Sequence, residues 1–122
     1  MCVSPSLSLR DGVPVLALGT PGSYGIKQTQ TQAMVQRVDF GLDIQDAIEA
    51  PRARLWDGRL VTAESRFDPA VLAALRARGH EIELGDAYTM KTGGMQGIAI
   101  DPATGRKVGG CDPRRDGYVV PA

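Results

Sequence analysis

The sequence predicts an α+β domain in which an antiparallel sheet carries helices on one face. Two observations lead to this fold class. Residues 6–10 alternate between polar and apolar side chains, and the hairpin signal Asp11-Gly12 connects them to the apolar residues 13–18. Later in the chain, Asp68-Pro69 provides a helix cap and a proline at the first helical position, and Gly79 provides a stop.

The elements of the first half follow from local signals. The apolar strand enters a glycine-rich turn at residues 19–25, which opens a helix over residues 26–40 that Gly41 ends. Asp43 caps a short helix that Pro51 ends. The long helix carries polar side chains that either line a polar site or form a solvated or subunit-facing surface: Gln28, Gln32 and Gln36.

The second half continues the same alternation of elements. A second hairpin is expected at Asp57-Gly58, and further strands at residues 81–84, 95–100 and 106–108. In the helix that Asp68 caps, the residues expected to face inward are Val71, Leu72 and Leu75. The chain shows no linker, internal repeat or low-complexity segment, so residues 1–122 are read as a single domain.

Composition excludes several classes of function. Fourteen basic and fourteen acidic residues give a net charge of zero, without runs of like charge, so neither nucleic acid nor a membrane surface is expected as a partner. The pairs Arg76-x-Arg78 and Arg114-Arg115 are read as solvated charges. No segment approaches the ~18 apolar residues of a membrane span. Residues 1–10 lack the apolar core of a signal peptide, and the compartment stays open.

The two cysteines and the single histidine give little support for a metal site or a disulfide. Cys2, Cys111 and His80 cannot supply the roughly four ligands of a zinc site, so we expect no metal and no cofactor. Cys2 and Cys111 can pair only if the first and last strands run side by side, and otherwise they are free thiols.

The glycine-rich turn at residues 19–25 is the strongest candidate site. Glycine at position 22 permits backbone conformations in which amide N–H groups point at an anion, as in the oxyanion hole of an acyl-transfer enzyme. A plain strand-to-helix connection is the alternative. A phosphate-binding P-loop does not fit, because Tyr24 stands where its second glycine should be and Lys27 is displaced.

Five short motifs place this turn in a wider pattern. They are, in order, Val3-Ser4-Pro5-Ser6, Gly19-Thr20-Pro21-Gly22, Val38-Asp39-Phe40-Gly41, the segment Asp46-Ala47-Ile48-Glu49-Ala50-Pro51-Arg52, and Gly110-Cys111-Asp112-Pro113-Arg114. In this order and spacing the chain resembles the C-terminal part of the small catalytic subunit of the γ-glutamyltransferase family. The resemblance leans toward the divergent, acylase-like members.

The resemblance implies the chemistry of an N-terminal-nucleophile hydrolase. In that family an N-terminal threonine, with its own α-amino group as base, attacks a γ-glutamyl or related amide and passes the acyl group to water or an amino acid. The family's Thr-Thr-His-like nucleophile segment precedes its Ser-Pro motif, and no Thr-Thr pair occurs in this sequence. We therefore expect no nucleophile in this chain and no catalysis by it alone.

Two site assignments follow from the resemblance. Pro21-Gly22-Ser23 matches the family's Pro-Gly-Gly, so the backbone amides of Gly22 and Ser23 are expected to form the oxyanion hole. Serine fills this role only if position 23 does not require a positive φ. Met1 and Cys2 replace the serine pair that holds the substrate's carboxylate, which leaves Cys2 as a weak substrate-binding candidate and weakens the expectation of γ-glutamyl specificity.

The family's αββα sandwich implies that this chain forms one side of it, with an apolar sheet face that needs a cover. The partner would be the remainder of a parent enzyme of glutathione or related amide metabolism, or a second copy of the chain. One alternative is a truncated, non-catalytic domain that associates with itself. Another, an unrelated hydrolase using Ser4, Ser23 or Cys2, lacks a base paired with any of them.

Overall fold

The computed structural model describes residues 4–121, which form two sheets and three α-helices. The strands are β1 Ser6–Arg10, β2 Val13–Gly19, β3 Ala53–Leu55, β4 Leu60–Glu64, β5 Glu81–Gly85, β6 Gln96–Ile100 and β7 Lys107–Cys111. The helices are α1 Ile26–Val38, α2 Ile44–Glu49 and α3 Pro69–Ala77, and two short 3-10 turns span Ser23–Gly25 and Met90–Thr92.

The larger sheet is antiparallel and has the strand order β1-β2-β6-β7. Helices α1 and α2 pack on one of its faces, as the sequence predicts. The core between sheet and helices consists of Leu16, Leu18, Ala33, Ile44, Ile48, Met95 and Ala99. The predicted first hairpin is present, with positive φ angles of 51° at Asp11 and 81° at Gly12.

The smaller sheet has the order β3-β4-β5 and contains one parallel pair. Strands β3 and β4 form the expected hairpin, but β4 and β5 run parallel, with α3 as the connection between them. A parallel pair needs such a crossover, because two adjacent parallel strands cannot be joined by a tight turn. The sequence pattern predicted only antiparallel strands, so this β-α-β unit is an addition to the expected fold.

The predicted helix caps are confirmed. A side-chain oxygen of Asp43 accepts from the amide of Asp46 at 2.9 Å, and one of Asp68 accepts from the amide of Ala70 at 2.8 Å. In α3, Leu72 is buried as expected. The inward placement of Val71 is wrong, because its side chain is exposed on the free side of this nine-residue helix.

Of the glutamines that the sequence singled out in α1, Gln28 and Gln32 lie against a strand edge, and Gln36 is half-buried without a side-chain hydrogen bond in the described residues. Gln28 donates to the carbonyl of Leu55 at 2.9 Å and accepts from its amide at 2.8 Å, and Gln32 makes the same pair with Ala53 at 2.8 and 2.9 Å. Gln45 of α2 makes the same two hydrogen bonds with Cys111 at the outer edge of β7: it donates to the carbonyl and accepts from the amide, both at 2.9 Å. These side-chain amides satisfy backbone groups that a neighbouring strand would otherwise pair.

The other face of the larger sheet is apolar and accessible to solvent. The register places Leu7, Ala17 and Ile98 side by side on this face, and the side chains of Leu7 and Ile98 are 61% and 45% exposed. Val119 crosses it near Gly109, where an added Cβ atom would lie 2.5 Å from the valine side chain. Because the helices cover only the opposite face, the sheet is covered on one side within the described residues.

The strand order also bears on the cysteines. Strands β1 and β7 lie at opposite edges of the sheet, and Cys111 is a free thiol in the described part of the chain. The candidate Cys2 lies outside the described residues.

Candidate active site

The glycine-rich turn joins the end of β2 to the start of α1. Gly22 and Ser23 both adopt positive φ angles, 139° and 53°. The 3-10 turn that follows is closed by a hydrogen bond of 3.0 Å from the Gly25 amide to the Gly22 carbonyl. The condition set for serine at position 23, that no positive φ is required there, is therefore not met. Serine adopts the left-handed region at a cost of roughly 1–2 kcal/mol, and it still carries its backbone N–H.

The amides of Gly22 and Ser23 are the atoms on which the predicted function depends. Within residues 4–121, neither N–H group donates to a turn, to a helix cap or to a side chain. Gly22 is half-buried and Ser23 is exposed. Two consecutive amides, both at residues with positive φ, are thus without a hydrogen-bond acceptor among these residues.

A second glycine loop, residues 92–95, lies against this turn. A Cβ atom on Gly22 would be 3.7 Å from the Cα atom of Gly93. The amide of Gly94 donates to the Thr20 hydroxyl at 3.1 Å, and the Thr29 hydroxyl donates to the Thr92 carbonyl at 2.7 Å. The sequence suggested that this loop could flank the site or serve as a plain connection, and it lies in direct contact with the turn.

Behind the second loop lies a buried network of charged side chains. Arg114 pairs with Glu64 through two nitrogen–oxygen contacts, one of 2.6 Å, and with Asp112 at 3.0 Å. Arg52 pairs with the other oxygen of Asp112, and Arg66 approaches Glu64 at 2.7 Å. The side chains of Arg52, Glu64, Asp112 and Arg114 are at most 1% exposed. Charged side chains this deeply buried must form ion pairs, because an unpaired charge in the interior strongly destabilises the fold.

The network fixes the second loop at both ends. The Thr92 hydroxyl donates to Glu64 at 3.1 Å, and the Met95 amide donates to Asp112 at 2.7 Å. The amide of Asp112 in turn donates to the Met95 carbonyl at 2.9 Å. The loop is therefore held between the charged network on one side and the Gly22 turn on the other.

Burial and pairing act against each other on the ionisation of these groups. At Asp112 burial favours the neutral acid, but the charge of Arg52 and hydrogen bonds from Arg52 and the Met95 amide keep the pKa below its usual value. Burial also opposes the charge of Arg114, yet hydrogen bonds and charge interactions with Glu64 and Asp112 raise its pKa. At Arg52 burial is the stronger effect and lowers the pKa. Its Nε and Nη1 atoms have no hydrogen-bond partner among residues 4–121.

Comparisons with known proteins show the family to which the chain belongs. A family model described as Gamma-glutamyltranspeptidase matches residues 2–122. The chain belongs to the γ-glutamyltranspeptidase family. It is 35% identical over 119 residues to the Acylase ACY 1 proenzyme of Pseudomonas sp. (strain SE83), covering 97% of this chain and 20% of that proenzyme. It is 34% identical over 113 residues to the Glutathione hydrolase proenzyme of Escherichia coli, covering 92% and 19%.

A solved structure supports the same family. Cephalosporin acylase from Bacillus halodurans matches with a TM-score of 0.89 and 34% identity, covering 95% of this chain and 22% of that one. The chain thus spans about a fifth of the length of these relatives. The likeness confirms the predicted α+β class and the N-terminal-nucleophile hydrolase fold, of which this chain forms one side. It also confirms the γ-glutamyltransferase-like recognition, acylase-like members included.

In this chain of the γ-glutamyltranspeptidase family, the sequence predicts the glycine-rich turn at residues 19–25 but not the buried network of charged side chains. Arg114 was read as a solvated charge and is buried, because Glu64 and Asp112 neutralise it, whereas its neighbour Arg115 is exposed. Arg52 was read as part of a structural corner, and Glu64 was not singled out. For Arg52 and Arg114 the available signal was their position at the end of the two motifs that finish in Pro-Arg, whereas no motif contains Glu64.

Three further features of the described residues concern Ser4, metal binding and membrane-spanning helices. Ser4 lies at the edge of the described residues, and its carbonyl accepts from Gln30. Residues 4–121 contain no cluster of three or more His, Cys, Asp or Glu side chains arranged to hold a metal ion. None of the helices in the described part of the chain is long and apolar enough to cross a membrane.

Proposed function

We propose that this segment supplies the oxyanion-binding turn of a γ-glutamyltranspeptidase-like amide hydrolase or acyltransferase. The observation that carries the proposal is the pair of consecutive positive φ angles at Gly22 and Ser23, with both amides outside the hydrogen bonding of the described chain. The adjoining loop at Gly93 and the network behind it hold this turn in place. Preorganised donors of this kind stabilise charge that develops on a carbonyl oxygen.

In the proposed reaction the nucleophile is a threonine hydroxyl supplied from outside these 122 residues. Its oxygen attacks the amide carbon, and the carbonyl oxygen becomes an oxyanion that accepts hydrogen bonds from the amides of Gly22 and Ser23. Collapse of this intermediate expels the amine, which leaves protonated, and gives an acyl-enzyme. Water or an acceptor amine then takes the acyl group.

The substrate class is an amide of the γ-glutamyl type or a related acyl amide. One compared relative is named a glutathione hydrolase and another an acylase. We favour acylase-like amides because Met1 and Cys2 replace the serine pair that the family resemblance places at the substrate's carboxylate. In this proposal Cys2 is a substrate-binding candidate that lacks the two hydroxyl donors of the family's serine pair.

The test uses a chimera in which residues 4–121 replace the matching part of the Escherichia coli glutathione hydrolase proenzyme, which keeps its own residues at the positions of Met1 and Cys2. Gly22→Val keeps the backbone N–H but cannot easily adopt a φ of 139°, so the amide should move out of position. We expect kcat for a γ-glutamyl anilide to fall by about 10²-fold, the usual effect of losing one oxyanion donor, with a smaller change in KM. Gly12→Val, which also strains a positive φ but lies in a distant hairpin, serves as the control. Equal effects of the two variants would contradict the proposal. The chain alone should release no product above the uncatalysed rate.

A second function, self-association, is favoured by the exposed apolar face at Leu7, Ala17 and Ile98. We propose that this face is covered either by the remainder of a parent enzyme or by a second copy of the chain. Light scattering of the isolated chain should show at least a dimer, and Ile98→Glu should shift it toward monomer. Leu84→Glu, at an exposed leucine of β5, is the matched control. A monomer at every concentration, without binding of an apolar dye, would refute this proposal.

A further inference from the structure

A cavity of about 470 Å³ lies between the larger sheet and α1, at the end of both elements that is farthest from the glycine-rich turn. Strand β2 runs from Val15 and Leu16 in the cavity to the turn, and α1 returns from the turn to Arg37 and Val38 in the cavity wall. The helical rise puts roughly 16 Å between Ile26 and Arg37. The cavity is therefore separate from the proposed oxyanion site.

The inner wall of this cavity is apolar. Leu16 and Ala99 are 4% and 9% exposed, and the partly buried Val15 and Met34 lie beside them, whereas Val38 is at the exposed rim. Its volume falls within the range of about 300–1,000 Å³ that is typical of small-molecule sites. The wall suits a short hydrocarbon group.

Three arginines line the same cavity, Arg10, Arg37 and Arg106. Within residues 4–121 none of them forms an ion pair. The one carboxylate in the lining, Asp101, accepts hydrogen bonds within its own turn and also lies near enough to Arg106 to interact with its charge, without forming an ion pair. Oδ1 accepts from the Ala103 amide at 2.9 Å, and Oδ2 accepts from the Thr104 hydroxyl at 2.7 Å.

Arg37 is also oriented by the fold. Its Nη1 donates to the Leu42 carbonyl at 2.8 Å, just beyond the end of α1. The remaining N–H groups of its guanidinium are donors in a fixed plane, the geometry that binds carboxylate and phosphate oxygens in pairs. The cavity thus combines an apolar wall with a surplus of positive charge in a chain whose net charge is zero.

We propose that this cavity is a binding site for a small amphiphilic anion, a molecule with a short apolar chain and one carboxylate or phosphate group. The apolar chain of this ligand lies along Leu16, Met34 and Ala99. The anionic group lies between Arg37 and Arg106, with Arg10 at the rim.

Calorimetric titration of the purified chain with octanoate, octyl phosphate and octanol, each below its micellar concentration, tests the proposal. Both anions should bind more tightly than octanol, and whichever of the two binds more tightly identifies the head group. In amide NMR spectra, octanoate should shift the signals of Leu16 and Ala99. Octanol binding as tightly as the anions, or no binding at millimolar octanoate, would overturn the proposal.

Two variants separate charge recognition from folding. Arg37→Gln and Arg106→Gln should each weaken octanoate binding about tenfold, the effect of losing one charge-assisted interaction. Arg76→Gln changes an exposed arginine of α3 outside the cavity and should leave binding unchanged. Circular dichroism confirms that each variant is folded. Equal affinities for all three variants would place the anion elsewhere and refute the assignment.

Discussion

The backbones of Gly22 and Gly93 lie in contact: a Cβ atom added to Gly22 would be 3.7 Å from the Cα atom of Gly93. The contact joins two turns that are far apart in the sequence. It depends on glycine at position 93, where φ is 104° and an added Cβ atom would lie 2.8 Å from the Thr20 hydroxyl oxygen. Position 93 therefore controls how closely the second loop approaches the oxyanion turn.

Gly93→Ala is expected to destabilise the chain by about 2 kcal/mol or more, because backbone strain and a steric clash act together. Gly12→Ala provides the control, since Gly12 has a φ of 81° and no atom within 4 Å of an added Cβ. That variant should lose only about 1–2 kcal/mol. Urea unfolding of both measures the difference. Equal losses would show that the contact with Thr20 is unimportant.

Ser23→Gly should leave stability unchanged or raise it by up to about 1 kcal/mol. Glycine relieves the left-handed strain at a φ of 53°, and this gain is offset in part by the greater freedom of the unfolded chain. Ser65→Gly is the matched control at an exposed turn serine without a positive φ, and should lose about 0.5–1 kcal/mol. Thermal unfolding compares them. A clear loss at position 23, as large as at position 65, would contradict the strained conformation.

Glu64→Gln tests the buried network. The substitution keeps the shape of the side chain but leaves Asp112 as the one buried carboxylate for both Arg52 and Arg114. Because one buried positive charge is then uncompensated, we expect a loss of about 3–5 kcal/mol in the free energy of unfolding. Glu81→Gln removes one partner of the pair with Arg59, in which both side chains are 69% exposed, and should cost at most about 1 kcal/mol. If chemical denaturation gives similar values for both, the network is not a major source of stability.

The lowered pKa of Asp112 predicts a loss of stability in acid. A carboxyl whose pKa is lower in the folded state stabilises the fold above its unfolded pKa of about 3.9, and this contribution is lost as pH falls through the folded value. The free energy of unfolding should therefore decrease below about pH 4. Asp112→Asn should be less stable at neutral pH and should show a weaker acid dependence.

Asp86→Asn is the control for this pH profile, because Asp86 is exposed and its carboxylate makes no hydrogen bond within the described residues. It should keep the acid dependence of the parent chain. Chemical unfolding from pH 7 to pH 3 measures all three proteins. An unchanged slope in Asp112→Asn would assign the acid sensitivity to other carboxyls.

Much of the fold was predictable because its signals are local. The Asp11-Gly12 hairpin and the Asp43 and Asp68 caps each depend on a few adjacent residues, and the structure has all of them. The glycine turn was predictable in position from the same kind of signal. The positive φ of Ser23 was not predictable. The family motif has glycine at this position, and glycine adopts a positive φ without the strain that serine must tolerate.

The remaining features depend on contacts between distant parts of the chain. The parallel pairing of β4 with β5 depends on how α3 packs, and no local pattern distinguishes it from a hairpin. Gln45 reads as an ordinary helix residue until β7 is placed beside it. Arg114 and Glu64 are 50 residues apart, so the rule that charged residues are solvated gave the wrong expectation for Arg114.

The charged network also sets an order on folding during synthesis. Arg52 precedes its partner Asp112 by 60 residues, a delay of roughly 3–12 s at ordinary rates of translation. Until Asp112 and Arg114 emerge from the ribosome, the Arg52 guanidinium has no carboxylate partner, and Glu64 has only the partly exposed Arg66 as its ion-pair partner. The sheet that contains Glu64 therefore closes over its interior only after these two residues have emerged. Protection from proteases should appear only after residue 114 has been released.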